Sequence, residues 1–472
     1  MTMIQTRDIR QWTRSFRDQF SGFTWRLWYS VILFGTMGVA RGIEEALVAV
    51  MVVQDSFLGE FGLDAMSEDE RASLTGNVVA MSQLGCIAGA LSTLIIGDRE
   101  CCLSESRGFA VAIFGASEYL GAIIGYFTSY GTATNISGSS SIQWKIPQIT
   151  AGAFAFAFLI MLTFCLESPR ILVKKGSISY AREVLHKFRY PRNTSAEIEQ
   201  ELAGVRRQLA VESESKDVGF LRSFLNLFST RRNLDRLCIT CTAHLLQVWS
   251  GASSITVYAP QYFEILGVRD QNERLLYTSI FGVIKLVASA ACAAFAVDQI
   301  GRRRCLSIGI TVQLIAISYV AAVLSVVPGL SRGEDSPRNE AVGISAIVFM
   351  YLCGAGYAFG WNSISYLITS EVFSLQTRTI GTALVMILHY GSRYGLQKAV
   401  PLMTLQDSMG PAGTFWFFSG MTLIGLIWVW AWLPETSKMH LEKASLAADK
   451  EPRDDPWGDG QPQDVGRKLQ RI

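Results

Sequence analysis

Charge is scarce in this chain. Asp, Glu, Lys and Arg make up 17% of its 472 residues, hydrophobic residues make up 50%, and the mean hydropathy is +0.27. A typical soluble domain is about a quarter charged, so the shortage excludes a protein wetted on every side. A cleavable leader is not expected either, since residues 1–26 are polar and hold no apolar core of the kind a signal peptide needs. The nine cysteines form no ligand set. Cys238 and Cys241 make a CxxC at the edge of an apolar span, without the second ligand pair or βαβ setting that a zinc or redox centre requires. They read as free thiols packed as small apolar side chains. No nucleophile–base set and no metal cluster stands out, so an enzyme is not expected, nor a catalytic residue, a metal or a cofactor. The formal net charge of +2 points to no nucleic-acid partner.

What the chain has is apolar length. Crossing a bilayer takes about 20 apolar residues, and ten spans qualify: 28–53, 76–97, 108–130, 144–166, 238–266, 275–297, 305–327, 342–368, 380–403 and 413–433. The expected fold is all-α and polytopic, with the lipid bilayer as its surroundings. Basic residues set the orientation. Residues 1–27 carry Arg7, Arg10, Arg14, Arg17 and Arg26, residues 167–237 carry fourteen Lys/Arg, and Arg302–Arg304 fill one short loop. The alternate loops hold little more than Arg71, Arg269, Arg274, Arg332 and Arg338. Both termini and the central loop are therefore expected in the cytoplasm. The divisions are a cytoplasmic N-terminus (1–27), a bundle of four spans (28–166), a cytoplasmic central loop (167–237), a bundle of six spans (238–433) and a cytoplasmic tail (434–472). The loop holds amphipathic stretches at 180–188 and 196–209, and the tail reads as disordered. Asn135-Ile136-Ser137 is a sequon in a loop expected outside.

One absence concerns spacing. Asp298-Gln299-Ile300-Gly301-Arg302-Arg303 follows one span, and Glu371, with Arg378 seven positions on and then Gly381, follows a later one. Two spans separate them. The earlier half repeats both signatures, as Gly97-Asp98-Arg99 and as Glu100 with Arg107 and Gly108. There they touch, with no room for a span. The chain reads as a two-fold repeat with two helices missing from its first half. Acidic and arginine side chains at cytoplasmic helix ends can pair across helices and lock that side shut. Asp98, Arg99, Glu100, Arg107, Glu167, Arg170, Asp298, Arg302, Arg303, Glu371, Arg378 and Glu435 are the candidates for such a gate. The alternative is topogenic charge that stays solvated.

Within the spans, His244, Gln247, Gly251, Ser254 and Tyr258 recur at intervals of 3, 4, 3 and 4 and would share one helix face. That face suits hydrogen bonding to a polyhydroxylated ligand. It would also serve as a packing seam with Gly251 allowing close approach. Arg393 inside a span costs about 2.5–3.5 kcal/mol to insert and should face a cavity or snorkel.

Several motifs resemble the sugar porter family of the major facilitator superfamily. Glu167-Ser168-Pro169-Arg170 with Lys174-Lys175-Gly176 is similar to its PESPRWLxxKGR, Pro434-Glu435-Thr436-Ser437-Lys438 to its PETKG, and Asp298–Arg303 to its DxxGRR loop. Gln247–Gly251 with Tyr258-Ala259-Pro260 resembles its QQLSGxNxxxYYxP, and Arg41–Glu45 resembles fungal members in the first helix. The resemblance covers roughly residues 28–443 and implies a major facilitator fold of two pseudo-repeat bundles, with ten transmembrane helices in place of twelve. It implies secondary-active transport of a sugar or related polyol by alternating access, coupled to H+, by a monomer in the plasma membrane. Substrate contacts are then expected at Gln247, Ser253, Ser254, Tyr258, Trp361, Asn362, Tyr366 and His389, although Val248 and Ser253 stand where the family has a second Gln and an Asn. Arg393 keeps a quinate-like acid open as the substrate. Glu44 aligns with the carboxyl that proton-coupled members titrate. Its usual arginine partner lies on the missing fourth helix, and Arg41, one turn away, is the substitute the sequence offers. The missing pair fits either an incomplete form of an ordinary transporter or a ten-helix remnant or sensor that does not transport. This 472-residue form is expected to be inactive by itself.

Overall fold

The computed structural model describes residues 25–96, 107–167, 169–189, 194–214, 220–292, 301–331, 336–373 and 377–433, and these are helical, with no strand among them. Helices occupy all ten expected spans. The first half has α1 (Trp25–Met51), α2 (Glu68–Ile96), α3 (Arg107–Asn135) and α4 (Ile142–Thr163). The central segment has α5 (Ile178–Arg189), α6 (Ser195–Glu214) and α7 (Phe220–Ser229). The second half has α8 (Arg231–Trp249), α9 (Ala252–Val257), α10 (Ala259–Ile265), α11 (Gln271–Ala291), α12 (Arg302–Val326), α13 (Pro337–Phe359), α14 (Trp361–Val372), α15 (Arg378–Met403) and α16 (Gly410–Trp432). Residues 98–100, where the helix pair is expected to be missing, lie outside the described residues.

The span 238–266 is not one continuous helix, as its spacing suggested. It is α8, α9 and α10, and the break falls at Gly251, whose φ of 79° is left-handed. Only glycine takes that conformation without strain. A Cβ there would meet Phe418 Cγ of α16 at 2.2 Å. The span 342–368 breaks likewise at Gly360, between α13 and α14. Its glycines are packing contacts: a Cβ on Gly309 of α12 would lie 2.6 Å from Gly360 Cα, and one on Gly354 would meet Phe281 at 2.1 Å.

Two seams join the halves: α2 runs along α15, and α3 along α11. Inside the first half α1 crosses α3 at backbone contact. Gly38 and Gly42 on α1 face Gly121 and Gly125 on α3, and a Cβ on Gly42 would sit 1.8 Å from Glu118 O. Small residues four apart permit this approach, which replaces hydrophobic burial as the source of helix association in lipid. Among the described residues, six helical segments are long and apolar enough to cross a membrane on length and composition alone. The flank of α4 carries exposed Ile149, Phe156, Leu159 and Phe164, as a lipid-facing helix should.

The central segment folds on itself. Thr194 and Glu197 cap α6 reciprocally, the Glu197 carboxylate accepting from Thr194 N at 2.7 Å. Ala181, Val184 and Leu185 of α5 then bury against Ile198 and Leu202 of α6, and Arg182 pairs with Glu199. At the opposite end, Glu60 accepts from Trp144 Nε1 at 2.7 Å and from Lys145 Nζ at 3.2 Å. These bonds, Trp144 first, hold its carboxyl below the usual carboxylate range. A depressed folded-state value stabilises at neutral pH, and the contribution is lost as pH falls through that value. Glu60→Gln should therefore melt below wild type at neutral pH, and the gap should close in acid. A gap independent of pH would disprove the assignment.

Candidate functional site

The five residues read as one face of the span 238–266 are all buried despite the break. Their partners divide them. His244 of α8, His389 of α15 and Tyr366 of α14 form a closed chain. His244 Nδ1 lies 3.3 Å from His389 Nδ1, His244 Nε2 lies 2.9 Å from Thr369 Oγ1, and His389 Nε2 lies 3.2 Å from Tyr366 OH. Thr369 donates its own proton to Ser365 O at 2.9 Å, so it accepts from His244. For neutral rings, one order of donors then follows. Tyr366 donates to His389, His389 to His244, and His244 to Thr369. Tyr258 is used as well, donating to Gln397 O at 2.6 Å.

Other polar atoms are buried without a partner among the described residues: Gln247 Oε1, Ser253 Oγ, Ser254 Oγ and Trp361 Nε1. Gln247 Nε2 is directed to Tyr357 OH at 3.4 Å and Trp361 O at 3.3 Å. An unpaired buried polar atom costs about 1–3 kcal/mol, and a hydroxyl-bearing ligand would offset that cost at these positions. Asn362 is buried beside Trp361 at the start of α14.

The charged groups are arranged otherwise than their spacing suggested. Arg41 does not take Glu44. It pairs with Glu118 of α3 at 3.1 Å, donates to Cys86 Sγ of α2 at 3.2 Å, and lies over the Tyr390 ring. The Glu44 side chain is exposed, and its neighbour Glu45 pairs with Arg393 of α15. That pair joins the first half of the chain to the second. Glu45 and Glu118 were not singled out from the sequence, nor was Lys285 of α11, which is 4% exposed and donates to Thr256 Oγ1 at 2.8 Å. The available signal was a charge inside an apolar span, which is costly and therefore informative.

The gate candidates lie at helix ends where they are described. Arg107 opens α3, Arg302 and Arg303 open α12, Glu371 lies in the last turn of α14, and Arg378 opens α15. Arg303 Nη2 donates to Trp430 O at the end of α16, at 2.6 Å. Glu167 pairs with Lys175 at 3.0 Å, within its own segment, beside Arg170 in the short helix Pro169–Lys174. Asp98, Arg99, Glu100, Asp298 and Glu435 lie outside the described residues.

The sequence pattern of the family described as "Sugar (and other) transporter" matches residues 99–447. A quinate permease of Neurospora terricola is 25% identical over 479 aligned positions, covering 89% of this chain and 88% of the relative. A quinate permease of Neurospora africana is 28% identical over 371 positions, covering 78% of this chain and 67% of the relative. Among solved structures, the proton:xylose symporter XylE of the major facilitator superfamily, bound to 6-bromo-6-deoxy-D-glucose, superposes with a TM-score of 0.72 at 19% identity. It covers 89% of this chain and 98% of XylE. The xylose transporter XylE from E. coli in a partially occluded inward-open conformation gives 0.69 at 18% identity, over 88% of this chain and 100% of that one.

Proposed function

Because the chain belongs to the sugar (and other) transporter family and has the major facilitator fold, we propose that it carries a polyhydroxylated small molecule, a sugar, polyol or quinate-like acid, together with H+. The observation that carries this reading is the Glu45–Arg393 pair, which ties α1 to α15 one turn along from His389. A carboxylate held by an arginine across two halves has two states. Ionised, it holds the halves together; protonated, it releases Arg393 and lets them separate. Protonation would thereby be linked to the rocking motion that alternates access. The aligned position is Glu44, but the geometry favours Glu45, because only Glu45 has its cation across the interface. Arg41, paired with Glu118, then holds α1 to α3 within one half. Arg41, Glu118, Glu45 and Arg393 are thus paired within this chain, which favours a working transporter over an inert remnant.

The protein is integral to the membrane. We place it in the plasma membrane as a monomer, with both termini in the cytoplasm, as the basic loops dictate. The polar atoms of Gln247, Ser253, Ser254 and Trp361 are its substrate contacts, and the histidine chain forms the wall behind them. Uptake of labelled galactose, inositol and quinate by a transporter-deficient host tests the reading. Accumulation of at least one solute above the medium, abolished by a protonophore, is expected. Uptake of none, from a protein shown to reach the membrane, would refute it.

A further inference from the structure

Of the three cations around this site, Lys285 is the one with no carboxylate partner among the described residues. Arg393 has Glu45 and Arg41 has Glu118. The Lys285 ammonium lies 4.7, 5.4 and 5.8 Å from the ring centroids of Tyr119, Phe281 and Tyr357, and donates one hydrogen bond, to Thr256 Oγ1 at 2.8 Å. An ammonium has three donors, and aromatic faces attract its charge without using them. Two N–H groups are therefore left to give. Thr256 has spent its own proton, which it donates to Ala252 O at 2.8 Å. Tyr119 OH is buried with no partner, and Tyr357 OH accepts from Gln247 while keeping its own proton to donate. Three sets of donors with bonds left to give thus converge on one place, and no carboxylate lies within ion-pair distance of Lys285 among the described residues. Glu45 and Glu118 are each already engaged, by Arg393 and by Arg41, so neither is free to pair with Lys285. Holding an ammonium without a counter-charge inside a span is costly, and an anion would remove that penalty.

We propose that Lys285, with the hydroxyls of Tyr119 and Tyr357, forms an anion subsite that takes the carboxylate of a polyhydroxylated substrate. The hydroxyl-bearing end of that substrate then lies toward Gln247 and Trp361, reached through the shared Tyr357–Gln247 bond. Gln247 Oε1 accepts from a substrate hydroxyl and Trp361 Nε1 donates to one. The inference rests on the transport reading above and narrows its substrate class to hydroxy acids. Protonation of Glu45 reinforces it, since that step adds the released charge of Arg393 to the same side of the balance, and proton and anion then favour each other's binding.

The test uses the full chain, purified for binding and reconstituted for uptake, with two matched pairs of probes: quinate against its methyl ester, and D-galacturonate against D-galactose. Wild type should prefer the acid in at least one pair. Lys285→Gln should lower affinity for that acid by about tenfold or more, the scale of a lost charged hydrogen bond, and leave the neutral partner within about twofold. Lys285→Arg should restore most of the acid affinity. Tyr119→Phe removes one hydroxyl from an otherwise intact fold and should show the same selectivity at smaller size, which keeps the proposal testable if Lys285→Gln fails to fold. Equal losses for acid and neutral probes would make Lys285 a packing cation and overturn the subsite. So would a wild type that takes up neutral probes and ignores the acids, with the transport reading left standing. A wild type that binds and moves none of the four would overturn the transport reading and the subsite with it.

Discussion

Arg393→Gln should destabilise the folded protein by up to about 3–5 kcal/mol and end proton-driven accumulation, because it removes the ion-pair partner of the largely buried Glu45 and leaves it only Arg41 and Lys285, neither within ion-pair distance. Glu45→Gln should destabilise by a similar amount by stranding the Arg393 guanidinium, whose side chain is only 6% exposed. The double variant removes both charges, and its stability should return most of the way to wild type. The two changes are in contact, so they should be strongly non-additive. Transport should not return with stability. Without a titratable group on α1 facing Arg393, the double variant should exchange substrate across a vesicle membrane yet fail to concentrate it against a gradient. Thermal unfolding in detergent reads the first effect, and uptake into proteoliposomes with an imposed pH gradient reads the second. Glu44→Gln is the control: its side chain is exposed and both readouts should change little. If Glu44→Gln abolishes accumulation while Glu45→Gln spares it, the assignment is reversed.

Gly42→Ala should prevent assembly of the first bundle. A methyl group there would stand 1.8 Å from Glu118 O and 2.7 Å from Glu118 C, and neither backbone atom can rotate aside. Gly121→Ala on the facing helix meets Val39 O at 2.1 Å. Either change forces α1 and α3 apart, which misaligns Arg41 with Glu118 and withdraws Glu45 from Arg393. The expected cost is at the top of the overpacking range, about 3 kcal/mol or more. The yield of monodisperse protein and its melting temperature measure it. Gly85 and Gly89 of α2 are the contrast, since a Cβ on either meets nothing within 4 Å. Alanine there should be neutral, or stabilising by up to about 1 kcal/mol through the unfolded chain. Equal damage from Gly42→Ala and Gly85→Ala would show that the crossing is not what holds the bundle.

The helices at all ten spans were legible in the sequence, because apolar length is a local sum and lipid leaves a lone segment no alternative to a helix. The breaks were less legible. Gly251 marked a helix face by its spacing, yet it sits in a left-handed turn where the space of a side chain is filled by Phe418, far along the chain. The polar residues of the site were found, but the distinction between them was not. His244 and Gln247 both recur at helical spacing, and only the positions of Thr369, Tyr357 and Trp361 leave one satisfied and the other with an oxygen to offer.

By itself the sequence determined that the chain lives in a membrane, how its helices are placed along it, which family it resembles and how few charges those helices carry. It did not determine which charges meet. Glu44 and Glu45 are neighbours in sequence and about 100° apart around the helix, so a small rotation of α1 decides which of them faces Arg393. That rotation is fixed by the contact of Gly38 and Gly42 with α3, and the arrival of Arg393 by the packing of α15 on α2. Hydrophobic length is additive along a chain, whereas pairing depends on how distant helices turn about their axes, and only the assembled bundle sets that.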